Sequence, residues 1–163
     1  MIKISLLKFY LITFILSISF YSVGNTENEF PLDPAITYGK LENGFTYYIR
    51  ENQTPKDKVS IKLIIKAGSI MEDENQLGLA HLLEHMAFNG SKNFPKRKID
   101  EYMSSIGLNI GSHYNASTGF LETSYDYEIP TKNDKDVEIA LKILTDISKN
   151  LSLEPEAFER ERK

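Results

Sequence analysis

The chain has 163 residues, 41% apolar and 26% charged, with a formal charge of −4, which suits one globular domain with a real core and excludes wholesale disorder. No polybasic run interrupts this mildly acidic composition, so nucleic acid is excluded as a partner. Cysteine is absent, which removes disulfides, thiolate metal sites and cysteine nucleophiles and leaves His, Asp and Glu as metal ligands.

At the N-terminus Lys3 and Lys8 flank the start of the apolar run from Phe9 to Phe20, and Ser22-Val23-Gly24 follows it. A positive segment, an apolar stretch of this length and small residues before Asn25 read as an export signal over residues 1–24, which places the protein in the periplasm or outside the cell. The run is shorter than the roughly 20 apolar residues of a membrane span, and if uncleaved it would serve as an anchor. Residues 25–37, polar and carrying Pro31 and Pro34, read as a linker, and a domain is expected over residues 38–163.

Asn43-Gly44 followed by the aromatic, β-branched Phe45–Ile49 predicts a hairpin. Val59–Ile65 alternates at first and then becomes continuously apolar, which predicts a central strand buried on both faces. Ala67-Gly68-Ser69 ends it, and the acidic stretch Glu72–Asn75 leads into a helix that Gly90 stops. Pro95 opens a second helix, with Ile99, Tyr102, Met103 and Ile106 at helical spacing before Gly107. Strands are expected over about 108–116 and 120–129. Val137, Ala140, Leu141, Leu144 and Ile147 mark a long amphipathic helix, and Pro155 starts a last one that reaches Lys163 without a cap, which suggests that the chain continues in a longer protein. The resulting fold class is α+β, a mainly antiparallel sheet with helices packed on one face.

The first of these helices carries His81-Leu82-Leu83-Glu84-His85, with two of the three histidines. Each helical residue advances about 100°, so His85 lies only about 40° around the axis from His81 and both imidazoles can reach one ion. Glu84 falls about 60° to the other side of His81, close enough to act on water at that ion without ligating it. Leu79, Leu82, Leu83 and Met86 follow helical spacing and are expected to pack the helix on the opposite side. Neutral imidazoles point to zinc, with a water position kept open, and Glu84 as general base would make the reaction peptide hydrolysis. His113 has no motif around it and reads as surface or satisfied core, and Tyr125 and Tyr127 read as strand packing.

His-x-x-Glu-His is the inverse zinc-peptidase order, and residues 67–95, "AGSIMEDENQLGLAHLLEHMAFNGSKNFP", resemble the N-terminal domain of bacterial members of peptidase family M16. Residues 114–130, "YNASTGFLETSYDYEIP", resemble the family's later Asn-Ala-x-Thr strand, and the likeness extends over about residues 38–163. It implies Glu84 as general base, His81 and His85 as the first two ligands of one Zn2+ per active site, and a peptide or unfolded polypeptide as substrate. It also implies a third ligand, a glutamate about two turns after a Glu-Arg pair like Glu161-Arg162 and therefore about five residues beyond Lys163.

Glu159 and Glu161, each about 75 residues after His85, are alternative ligands, but the Arg-Glu-Arg setting favours Glu161 as a group supporting the ligands from outside. Asn115 and Ala116 match the edge strand that receives an extended substrate through main-chain hydrogen bonds. Family members close several similar domains around the substrate, so a second M16-like domain or subunit is an expected partner and residues 1–163 alone are expected to be inactive or nearly so. Two rivals remain: a non-catalytic binding or assembly subunit of the same fold, and a structural domain whose histidines bind nothing.

Overall fold

The computed structural model describes residues 31–162, and the export signal expected over residues 1–24 lies outside them. The chain divides into two compact units, one ending at Asn52 and the other starting at Gln53. In the first, β1 (Ile36–Lys40) and β2 (Thr46–Arg50) form the antiparallel hairpin predicted by Asn43-Gly44. Gly44 adopts φ +87°, where a missing Cβ avoids a steric cost, and the Asn43 side chain accepts from the Phe45 N–H at 3.1 Å. Gly39 faces Tyr47 across the ladder, and a Cβ there would stand 2.3 Å from the tyrosine ring. β1 begins at Ile36, inside the stretch read as linker.

The second unit is built on a three-stranded antiparallel sheet in the order β3 (Lys58–Ile65), β5 (Thr123–Pro130), β4 (Tyr114–Thr118). Four helices accompany it: α1 (Leu79–Asn89), α2 (Lys98–Ser105), α3 (Asp134–Lys149) and α4 (Pro155–Glu161). Alternation along β5 sends Tyr125, Tyr127 and Ile129 into a core shared with Leu63, Tyr114, Ile99 and Met103 and with the apolar stripe Ala140, Ile143, Leu144 and Ile147 of α3. On the other face Lys62 pairs with Asp126 at 2.8 Å and Lys58 with Glu128 at 2.6 Å. One face is apolar and the other ionic, so the helices cover one side only and the fold is the α+β arrangement expected. No helix among the described residues is long and apolar enough to cross a membrane.

Three local expectations need correction. β5, not Val59–Ile65, is the central strand; β3 lies at an edge of the described sheet, with only Leu63 buried and Ile64 48% exposed. The pleat sends every second residue outward even where the sequence is apolar throughout. The strands expected over 108–116 and 120–129 begin later, at Tyr114 and Thr123. Residues 109–114 form a turn instead, in which Gly111 N–H donates to Tyr114 C=O at 2.8 Å and His113 Nδ1 accepts from Asn109 N–H at 3.2 Å. Finally, α2 begins at Lys98, whose N–H reaches the Pro95 carbonyl at 3.3 Å, so the proline stands a turn ahead of the regular helix.

Candidate metal centre and active site

The amino end of α1 is closed from a distance. Glu72 Oε2 accepts from Gly78 N–H at 2.8 Å and Oε1 from Ala80 N–H at 2.7 Å, satisfying two of the donors that a helix start leaves open. Hydrogen bonds from Ala80 and then Gly78 hold the Glu72 carboxyl below the usual glutamate range, and the helix dipole favours the same charge.

The packing face of α1 differs from the one expected. Leu79 and Leu83 are each 37% exposed, while Glu84, Met86 and Ala87 are buried. A carboxylate can face inward because the Thr118 hydroxyl of β4 donates to Glu84 Oε2 at 2.7 Å, which offsets part of the cost of burial. Phe88 follows on the same side, its ring 6.2 Å from that of Tyr114 and 6.3 Å from that of Tyr125. Burial and then the Glu84 charge push the Tyr125 phenol up to about 12, so it stays neutral beside the carboxylate.

His81 and His85 remain exposed, and one helical turn brings their rings together, with Nε2 atoms 3.2 Å apart. The other nitrogen of His85, Nδ1, lies 3.1 Å from Glu161 Oε2 on α4. A carboxylate only accepts, so His85 donates from Nδ1, and in the neutral ring that leaves the Nε2 lone pair facing His81 Nε2. Asn89, one turn beyond His85, donates from Nδ2 to Glu161 Oε1 at 2.9 Å and to the His85 carbonyl at 3.2 Å, while its Oδ1 accepts from Arg160 at 3.4 Å. Hydrogen bonds from Asn89 and then His85 hold the Glu161 carboxyl below its usual range.

The donor set suits zinc. Two nitrogen ligands of a tetrahedral zinc, each about 2.0–2.1 Å from the ion, stand about 3.3–3.4 Å apart, and the two Nε2 atoms at 3.2 Å come close to that separation. Among the described residues no group of three or more His, Asp or Glu side chains converges on one ion position. Glu161 sits on the nitrogen of His85 remote from His81, and Glu159 pairs with Arg162 at 2.7 Å.

At His85 opens a cleft of about 460 Å³ whose wall also includes Glu84, Asn89, Asn115, Ala116 and Glu161. Asn115 is exposed and Ala116 half-buried on β4, at the outer side of the described sheet. Glu128 N–H donates to His113 C=O, so the alternating ladder turns the N–H and C=O of Ala116 away from β5. Tyr125 and Tyr127 are buried in the core. Sequence reasoning assigned no role at the site to Glu72, Asn89 or Thr118. Asn89 had a usable signal, since it stands one turn after His85, and Thr118 lies within the Asn-Ala-x-Thr strand segment.

Fold and site together define an α+β domain that presents a His-x-x-Glu-His helix beside the outer strand of an antiparallel sheet. Residues 47–163 match the family Insulinase (Peptidase family M16), and the chain belongs to that family. It is 39% identical over 135 residues to the probable zinc protease PqqL of Haemophilus influenzae, a match covering 83% of this chain and 15% of that protein. With the probable zinc protease PqqL of Escherichia coli it shares 37% identity over 132 residues, covering 81% and 14%. The crystal structure of the periplasmic protease PqqL from Escherichia coli matches with a TM-score of 0.78 at 37% identity, over 81% of this chain and 15% of that one. The chain thus spans less than a sixth of the length of these relatives.

Proposed function

We propose that the chain carries the catalytic helix of an exported zinc-dependent endopeptidase. The observation that carries this reading is the approach of two imidazole Nε2 atoms to 3.2 Å beside a buried carboxylate. His81 and His85 would hold the ion through Nε2, with a third ligand from a glutamate beyond Lys163. Zinc, when bound, supplies a Lewis acid that polarises a carbonyl and makes water acidic near neutral pH.

Glu84 takes the proton of the attacking water and returns it to the leaving amine, so it begins and ends the reaction ionised. Thr118 engages Oε2, which leaves Oε1 free for that proton. Glu161 orients His85 through Nδ1, and an ionised outer carboxylate makes the imidazole a better donor to a metal. An extended peptide would add itself to β4 at Asn115 and Ala116, where the outward main-chain groups of Ala116 offer one donor and one acceptor. The substrate is then a peptide or an unfolded polypeptide, and a second M16-like domain or subunit would close over it. Export to the periplasm agrees with the description of the Escherichia coli relative as a periplasmic protease.

The test compares a form extended past Lys163 with its Glu84→Gln and His81→Ala variants. Glu84→Gln is expected to keep its zinc and lose about 10²–10⁴-fold in peptide hydrolysis, whereas His81→Ala should lose the zinc. Equal zinc in the parent and in His81→Ala, or near-full turnover by Glu84→Gln, refutes the reading.

A further inference from the structure

We propose that Asn89 is a positioning residue for this centre: its carboxamide clamps the Glu161 carboxylate so that His85 stays in the Nδ1–H form, with its Nε2 lone pair turned toward His81. The inference rests on the reading of His81 and His85 as zinc ligands, and it assigns a task to a residue that touches neither the ion position nor Glu84.

The orientation of the Asn89 amide follows from its neighbours. Two acceptors, Glu161 Oε1 at 2.9 Å and the His85 carbonyl at 3.2 Å, face one end, and a donor, the Arg160 guanidinium at 3.4 Å, faces the other. Only the placement with Nδ2 toward Glu161 satisfies all three. Each oxygen of Glu161 therefore has one partner, Oε1 on Asn89 and Oε2 on His85 Nδ1.

A carboxylate held at both oxygens cannot rotate away from the imidazole, and an acceptor fixed at Nδ1 keeps the proton there. Without the amide, Oε1 loses its anchor, and Arg160, released from Asn89 Oδ1, becomes free to draw the carboxylate off the histidine. The Nε2–H tautomer, which has no lone pair at Nε2 to offer an ion, then gains population. Asn89 also joins α1 to α4, so a plain helix tether is the competing account, and it predicts no change at the His85 ring.

The deciding measurement is the tautomer of His85 in the metal-free, ¹⁵N-histidine-labelled chain, at about pH 8 where imidazoles are neutral. The three histidines are assigned with His81→Gln and His113→Gln forms. His85 should be mainly Nδ1–H in the parent and a mixture in Asn89→Leu and in the isosteric Asn89→Asp, which turns a donor into an acceptor. In the extended form the same variants should bind zinc about 10–100-fold more weakly.

A His85 that stays Nδ1–H in a folded variant overturns the proposal whatever the affinity does. So does a shifted tautomer with zinc affinity within about twofold of the parent, and so does loss of the fold in both variants, which leaves only a tether. If the extended parent binds no zinc while the tautomer still shifts, the ligand reading fails and the clamp stands.

Discussion

At the carboxyl end of α1, Ser91 and Asn93 gather around the buried Asp146 of α3, whereas at the amino end two N–H groups rest on the half-exposed Glu72. Asp146 is 1% exposed and accepts four hydrogen bonds: from Ser91 Oγ at 2.7 Å, Asn93 N–H at 2.8 Å, Asn93 Nδ2 at 2.8 Å and Asn150 Nδ2 at 2.9 Å. Burial alone would raise its carboxyl, but hydrogen bonds from Asn150, Ser91 and Asn93 outweigh that and hold it below the usual range. Main-chain bonds from Lys92 to Asn150 and from Ser152 to Gly90, each 3.0 Å, tie the same end to the segment after α3. The amino end also has two main-chain bonds of 3.0 Å, from Ser69 to Gly119 and from Ile70 to Phe120, but its side-chain anchor is Glu72 alone, with the exposed Ile70, Met71 and Leu77 around it. A buried, fully satisfied carboxylate is a stronger anchor than an exposed one, so His85, Asn89 and Glu161 stand at the firm end while His81 stands a turn nearer the loose one.

The largest expected effect comes from breaking the firm end. Asp146→Ala strips the acceptor from four donors at once, on the buried Ser91, the half-buried Asn150 and the exposed Asn93, and should cost about 3 kcal/mol of unfolding free energy in urea. A loss below about 1 kcal/mol would mean that water replaces the carboxylate and that the two ends are equivalent. Next is Gly90→Ala. Gly90 has φ +149°, and a Cβ there would lie 2.7 Å from the Lys96 backbone nitrogen, so both backbone strain and a clash oppose it. About 2 kcal/mol is the expected loss, and a variant as stable as the parent would show that the 90–96 turn can yield.

This contrast also explains what the sequence disclosed. The Asn43-Gly44 hairpin, the amphipathic α3 and the spacing of His81 and His85 rest on local rules, and each was readable. The inward turn of Glu84 was not, because its hydroxyl partner Thr118 comes from β4, 34 residues away, and helical periodicity ranks a glutamate as solvated. Asp146 lies on the buried stripe of α3, where the pattern offers no reason for a charge until Ser91 and Asn93 arrive from another element. Glu72 caps a helix across six and eight residues, beyond the reach of ordinary capping signatures. The central position in the sheet went to β5 because pairing on both sides depends on topology, which the apolar run of β3 does not encode.

The smallest effect belongs to Glu72→Gln. The substituted amide offers one oxygen where the carboxylate offers two, and it removes the negative charge at the helix start, so α1 should fray at its first turn and overall stability should fall by less than for Gly90→Ala. The sign of its pH dependence follows from the depressed carboxyl. With a folded value below the ordinary 4.5, the contribution of Glu72 is fully present above that pH and fades as pH falls through the folded value. Asp146 loses stability in acid as well, but it does so equally in parent and variant, so the difference between them isolates Glu72. Urea unfolding from neutral pH down to about pH 3 should show a constant gap that closes in acid. A gap that persists unchanged at the acid end would mean that the Glu72 charge contributes nothing and that the amino end of α1 is held by neutral hydrogen bonds alone.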